Sequence, residues 1–415
     1  MKKILVLDAF SAIHVGNGVL LDNSLRVCRE VYPDSEIVIL SLDKETSEKK
    51  YRNVHDDIFY DFPRTKGSIK KILWIINFFL FISLQLINAK FFSFSSQHFC
   101  FNKTQKRLMS ELDSSDMCLS IAGETINDNF YPRLYQRCLI FWLAILKKKK
   151  LVVFPQSIGP IFRGLTKGIL RLTLGKADLI VARDEKSYEV AKKVWDGCQA
   201  KVQYSPDVGV LQESGFVDAD EKYFNNKKSV IGLTLSLVPK EIQCNVDYEA
   251  EIVNALKSSI NLEKYNILLM PSNYVKNTIS GDYEICLRVM NSLKSEGFTV
   301  SILNNEVIFE DEYQAIQKSL ALFISTRMHV GILATTAGVP TIMINTQHKI
   351  KGYMTNIESE NYVIEYHEIS SKLPNMISRT LDVDNNRRYK QKLLEMNKKM
   401  KLKMKPFLDD FSKVF

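Results

Sequence analysis

LFISTRMHVGILATTAGVPTIMINTQHKIKG, residues 322–352, carries a complete strand–helix–strand unit. Leu322–Ser325 is a short apolar run of the kind that forms a buried strand, and Thr326-Arg327-Met328-His329 falls where that strand ends. Residues 330–337 are small and apolar, which lets a helix sit tightly on a sheet. Gly338 can end that helix, and residues 339–344 read as the next strand. In open parallel sheets ligands gather outside the carboxyl ends of the strands. Arg327 and His329 therefore belong at a helix entrance that already favours anions, and Lys349, just past the second strand, reaches the same edge. An arginine, a histidine and a lysine converging there point to a phosphate or carboxylate ligand, with one group able to move a proton near neutral pH.

The same alternation extends in both directions. Residues 3–8 read as a strand, and the glycine-bearing turn His14-Val15-Gly16-Asn17-Gly18 leads to a helix over about 19–31. Further strands are expected at 36–41, 117–121, 151–156 and 177–182. After a polar stretch, the pattern restarts with strands at 229–235, 265–270 and 299–303 and helices at 248–262 and 283–297. At 415 residues, two cores are expected rather than one. The spacing places a first α/β domain at 1–211, a charged linker at 212–228, a second α/β domain at 229–384 and a basic helical segment at 385–415.

Composition narrows the class. Hydrophobic residues make up 46% and charged residues 25%, as in an ordinary soluble globular protein. The seven cysteines form no CxxC pair, so reduced thiols and a cytoplasmic setting are expected, with no zinc site and no metal. No signal-peptide pattern precedes the first strand. The net charge of +9 is concentrated in residues 387–405, where nine Lys or Arg stand against Glu395 alone. Leu393, Met396, Met400 and Met404 recur there at helical spacing. Either this tail packs its apolar stripe on the body and solvates its lysines, or it meets an anionic membrane at the inner face. Nothing there looks like a nucleic-acid reading motif, and the aromatics do not interleave with the basic residues in a stacking pattern, so no nucleic-acid partner is expected. Residues 72–88 are uncharged, but Asn77, Ser83, Gln85 and Asn88 interrupt them and they fall short of a spanning length. A buried or partly exposed helix is expected rather than an interfacial or transmembrane one.

Several fragments together resemble one family. They are Ala122-Gly123 at a strand end, the Gln156-x-x-Gly159-Pro160 turn, Arg183-Asp184-x-x-Ser187, Asp207, Arg327-Met328-His329, Ala337-Gly338-Val339-Pro340 and Lys349 with Gly352. In this order and spacing, over residues 1 to 355, the chain resembles the polysaccharide pyruvyl transferases. It departs from them at the first corner, where His14 and Asn17 stand for an Asn and an Asp, at Ala122 in place of a glycine, and at Thr346 in place of an aromatic residue.

The resemblance implies two Rossmann-like domains facing a central cleft, as in glycosyltransferase-B enzymes, with the acceptor on the first domain and the donor on the second. It implies transfer of a pyruvyl group from phosphoenolpyruvate to two hydroxyls of one sugar in a surface polysaccharide, exopolysaccharide or capsule, or its lipid-linked precursor. No cofactor is implied. Arg183, Arg327 and Lys349 would hold the donor, and His329 would act as general acid. Asp128 would serve as base, unless it and Asn127 simply cap a helix. Gly16, Asn17, Gly123, Glu124, Gln156 and Gly159 complete the candidate site. His14 and the other histidines do not share a strand end with an arginine as His329 does, and are expected to be structural. Two other readings stay open: a sugar-nucleotide glycosyltransferase on the same scaffold, and a non-enzymatic scaffold at the membrane.

Overall fold

The computed structural model describes residues 1–59, 62, 67–92, 94–121, 123–215, 223, 228–236, 247–274, 281–303, 308–346 and 348–415. Its strands are β1 (Lys3–Ala9), β2 (Glu36–Ser41), β3 (Val54–Asp56), β4 (Met117–Ser120), β5 (Lys150–Gln156), β6 (Leu179–Ala182) and β7 (Lys201–Tyr204). A second set comprises β8 (Ser229–Thr234), β9 (Tyr265–Leu269), β10 (Val300–Ile302), β11 (Leu322–Ser325), β12 (Thr341–Asn345) and β13 (Val363–Glu365). The first set forms a sheet of order β3-β2-β1-β4-β5-β6-β7 and the second one of order β10-β9-β8-β11-β12-β13. Within both sheets, every pairing among the described residues is parallel. Parallel sheets survive only with both faces covered, which is why β1, β4, β6 and β11 are apolar almost throughout and buried.

The helices of the first set are α1 (Val15–Val31), α2 (Lys44–Ser47), α3 (Ser68–Phe91), α4 (Lys103–Ser114), α5 (Arg133–Leu146), α6 (Gly164–Thr173) and α7 (Glu185–Trp195). They are followed by α8 (Tyr248–Ser259), α9 (Asp282–Ser295), α10 (Glu310–Lys318), α11 (Met328–Thr336), α12 (His348–Asn356), α13 (Ile369–Leu381), α14 (Val383–Lys403) and α15 (Lys405–Phe411). In each sheet the winding direction reverses next to its first strand, at β1/β4 and at β8/β11. Those are the places where doubly wound sheets open a ligand crevice. Gly338 ends α11 at φ +76°, a backbone conformation that glycine adopts without steric cost.

The main division between the two Rossmann-like units falls between residues 207 and 208, just ahead of the polar linker. One holds residues 1–11, 20–207 and 403–415; the other holds 12–19 and 208–402. Most of the expected linker, 216–222 and 224–227, lies outside the described residues. Two segments lie across that division. First, residues 12–19 belong to the second unit: Val15 and Val19 are fully buried in a cluster with Phe323, Val330 and Leu333. Secondly, the basic tail splits. α14 buries Tyr389, Leu393, Met396 and Met400 in the second unit, where Tyr389 stacks on Tyr362 at 3.6 Å and its hydroxyl donates to the Thr341 carbonyl at 3.0 Å. In the first unit, Phe407 and Phe411 of α15 meet Phe154 edge-on at 5.1 and 5.0 Å. The tail's apolar stripe is therefore packed on the protein, and most of its lysines are exposed, while Lys392 donates to the Glu358 carbonyl.

Candidate active site

The chemistry-bearing end of β11 is held by short polar links. Ser325 Oγ accepts from the Arg327 amide at 3.0 Å and donates to the Arg327 carbonyl at 2.9 Å, which sets the turn that makes Arg327 the N-cap of α11. Thr346 donates to the Thr326 carbonyl at 3.1 Å, tying the end of β12 to the same turn. The Arg327 guanidinium is aimed by Asp282, the first residue of α9, through a contact of 2.5 Å. Asp282 is fully buried, and its other oxygen accepts from Ser272 Oγ at 2.8 Å. A buried carboxylate committed in this way fixes the arginine's position without leaving either charge uncompensated. His329 lies half-buried in the first turn of α11, and Lys349 lies half-buried in the first turn of α12.

The next member comes from the first corner, where the sequence singles out Gly16 and Asn17 but not His14. Residues 13–15 run against residues 272–274: His14 bridges Asn273, and the Val15 amide donates to the Ser272 carbonyl at 2.9 Å. This carries His14 into the Arg327 site. Burial, then Arg327, His329 and Lys349 in that order, push its imidazole well below the usual histidine range, so it is neutral at pH 7 in the unliganded protein. Its Nδ1 accepts from the Gly16 amide at 3.1 Å, which leaves Nε2 to carry the proton of the neutral ring. Gly16 is required there by space: a Cβ would stand 3.0 Å from His329 Cβ and Nδ1 and 3.1 Å from His14 Cε1. His14 thus has His329 and Arg327 for company, which its own sequence neighbours do not show. Asn17 is half-buried in the same segment, its amide donating to the His14 carbonyl at 2.9 Å.

The other candidates lie in the first unit, where they join loops. Ala122 lies outside the described residues. The Ser157 amide donates to the Gly123 carbonyl at 3.0 Å, and the Gly159 amide donates to the Ile126 carbonyl at 2.7 Å, so the loops after β4 and β5 are zipped together. Glu124 is half-buried on the first of these loops. Among the described residues the fully buried side-chain amide of Gln156 has no hydrogen-bond partner.

Asp128 accepts from the Phe162 amide at 2.6 Å, from the Arg163 amide at 2.8 Å and from Thr166 Oγ1, which caps the start of α6. Burial alone would raise its pKa, but the Thr166, Arg163 and Phe162 hydrogen bonds outweigh it and hold the carboxyl below the ordinary range. A carboxylate so engaged is a poor base, and the geometry favours the capping alternative. Arg183 is buried and pairs with Asp207 at 2.9 Å while Nε donates to Ser157 Oγ at 2.9 Å. Its ion partner is not the adjacent Asp184, which instead caps α7 by accepting from the Ser187 amide at 2.8 Å. Arg183 therefore has a structural task in the first unit. Among the described residues no group of three His, Cys, Asp or Glu is placed to hold a metal ion.

Comparison with known proteins follows this geometry. Residues 14–348 match the family model described as polysaccharide pyruvyl transferase, and that span begins at His14 and closes just before Lys349. A search of curated proteins found no match. Among solved structures, the chain is similar to the N-terminal domain of the Candida albicans trehalose-6-phosphate phosphatase (TM-score 0.59, 13% identity, 99% of each chain covered). It is also similar to an Escherichia coli trehalose-6-phosphate protein bound with UDP-2-fluoro glucose (0.55, 12% identity, 100% of each chain). A third is the Neisseria meningitidis UDP-GlcNAc 2-epimerase bound to UDP-GlcNAc (0.53, 12% identity, 97% of this chain and 99% of that one). At these identities the likeness concerns the fold, which is the α/β glycosyltransferase-B class of two Rossmann-like domains.

Proposed function

This chain belongs to the polysaccharide pyruvyl transferase family, and we propose that it transfers a pyruvyl group from phosphoenolpyruvate to two hydroxyls of one sugar in a surface polysaccharide or its lipid-linked precursor. The observation that carries the donor assignment is the grouping of Arg327, His329 and Lys349 just past the carboxyl ends of β11 and β12, close enough to His14 to add to the lowering of its pKa that burial begins. Phosphoenolpyruvate is a small trianion at neutral pH, and such a concentrated positive potential is what its desolvation demands.

Arg327, aimed by Asp282, and Lys349 hold the phosphate and carboxylate, and the start of α11 adds the positive end of its dipole. His329 donates a proton to the methylene carbon, and the first sugar hydroxyl attacks the resulting cationic carbon. Phosphate leaves, and the second hydroxyl closes the ketal. Of the two hydroxyl protons, one replaces the proton given by His329 and the other leaves with phosphate. Protonating carbon is slow, so the position of the acid dominates the rate.

Calorimetric titration with phosphoenolpyruvate tests the reading. Arg327→Ala is expected to weaken binding by about 2–4 kcal/mol, the loss of a charge-assisted partner in a desolvated site. His329→Ala is expected to bind nearly as before while turnover falls by roughly two to four orders of magnitude. Unchanged donor affinity in Arg327→Ala would remove the donor site. Phosphate release from phosphoenolpyruvate in the presence of a saccharide separates this activity from that of a sugar-nucleotide transferase.

A further inference from the structure

Helix α3 has two unlike faces. Its inner face buries Phe78, Phe81 and Ile82 in the first unit's core, and two polar side chains anchor it: Gln85 donates to the Ser96 carbonyl at 2.7 Å, and Asn88 exchanges hydrogen bonds with Phe94 at 3.0 and 3.1 Å. Its outer face carries Ile72, Leu73, Ile76, Phe79, Leu80 and Ile87, all 44–59% exposed and recurring at helical spacings of three, four and seven. Single exposed apolar residues need no explanation, but a stripe running the length of a 24-residue helix does. Only 28% of its most apolar stretch is buried. The sequence pattern led to the expectation of a buried or partly exposed helix rather than an interfacial one; the helix is partly exposed, and the length of the exposed stripe reopens the interfacial alternative.

The charges around this face choose its occupant. Lys70 and Lys71 are exposed at one end of the helix and Lys90 lies near the other, and residues 62–110 contain no Asp or Glu against eight Lys or Arg. Beyond the helix, Phe92, Phe94 and Phe101 are exposed, and the chain then enters α4, whose Lys103, Lys106 and Arg107, the last paired with Glu111 at 3.0 Å, line an open pocket with Lys44, His55 and Asp56. A second copy of the chain fits poorly: packed parallel or antiparallel, two such helices would set lysines against lysines with no acid between them. An anionic bilayer supplies both complements, acyl chains for the stripe and headgroup phosphates for the flanking cations.

We propose that the first unit docks on an anionic membrane through the outer face of α3, with the helix lying along the interface and its inner face kept in the protein core. The core contacts and the Gln85 and Asn88 hydrogen bonds oppose a spanning arrangement, because insertion would strip them away. The tail is not the device, since its apolar stripe is already packed. The docking is independent of the transfer chemistry proposed above and is tested without any substrate.

The test is flotation of the full-length protein with phosphatidylcholine vesicles containing about 30% phosphatidylglycerol, and with phosphatidylcholine alone. The wild type is expected to float with the anionic vesicles, less with the neutral ones, and less at high salt. The double variant Ile76→Glu, Leu80→Glu is expected to lose at least about tenfold in partitioning, with an unchanged melting curve. Lys70→Glu with Lys71→Glu should remove the preference for anionic vesicles. Wild-type protein left in the bottom fraction overturns the proposal. So does equal flotation of the Ile76→Glu, Leu80→Glu variant, or a wild-type dimer that this variant dissociates without vesicle binding. Should that variant not fold, quenching of wild-type tryptophan emission by brominated acyl chains supports docking near Trp74, and its absence overturns it.

Discussion

His14 and Gly16 act as a pair. The glycine lets two imidazoles approach from either side, and its amide fixes which nitrogen of His14 accepts. The depressed pKa of His14 has a sign that can be read in two measurements. The unfolded chain, with an ordinary histidine near about 6.5, binds a proton that the folded one refuses. The stabilising contribution of the neutral ring is therefore complete above about pH 6.5 and declines as pH falls from there towards the folded pKa. His14→Gln, which has no proton to take up, should flatten that part of the stability curve in chemical denaturation. A bound trianion reverses the field of Arg327 and Lys349, so donor binding should draw protons onto the imidazoles. Calorimetry near pH 7 in buffers of different ionisation enthalpy should show net proton uptake, and none would mean that the donor does not reach His14.

At the level of elements, the loop–helix junction after β5 explains why an acid occupies position 128. α6 begins without a side-chain cap from its own N-cap residue, Arg163, and Asp128 supplies one from across the loop through two amides and a hydroxyl. Asp128→Asn keeps the shape but loses the charge. It should destabilise the protein by about 1–3 kcal/mol, the range for a hydrogen-bonded buried charge, while turnover of folded enzyme changes little. A loss of turnover comparable to that of His329→Ala, with an unchanged melting temperature, would return Asp128 to catalysis. The same scale explains α3: a helix apolar all round satisfies a core pattern whichever side faces inward.

Across the whole chain, each unit borrows from a distant part of the sequence. The second needs residues 12–19 and α14, whose Leu393 and Met400 line a small cavity with Thr335, Thr336 and Tyr353. A fragment cut at the apparent boundaries, residues 229–384, lacks Val15, Val19, Leu393, Met396 and Met400, all at most 3% exposed. Removing several such side chains at about 2–5 kcal/mol each exceeds the margin of a typical domain. The fragment is expected to melt without cooperativity and to bind no phosphoenolpyruvate; a sharp transition with donor binding would show that the borrowed segments are dispensable.

The strand and helix alternation, the two-domain count and the placing of Arg327, His329 and Lys349 were all legible in the sequence. Each depends on local periodicity or on the rule that parallel strands present their carboxyl ends to ligands. Even the end of α11 at Gly338 is a local matter. Partnership was not legible. Which acid aims Arg327, which pairs with Arg183, whether Asp128 is a base or a cap, and that His14 joins a site on β11 are outcomes of contacts between segments far apart in sequence. The exposed side of α3 belongs with these, because periodicity shows that a helix can be buried, and only the packing of its neighbours decides which face is.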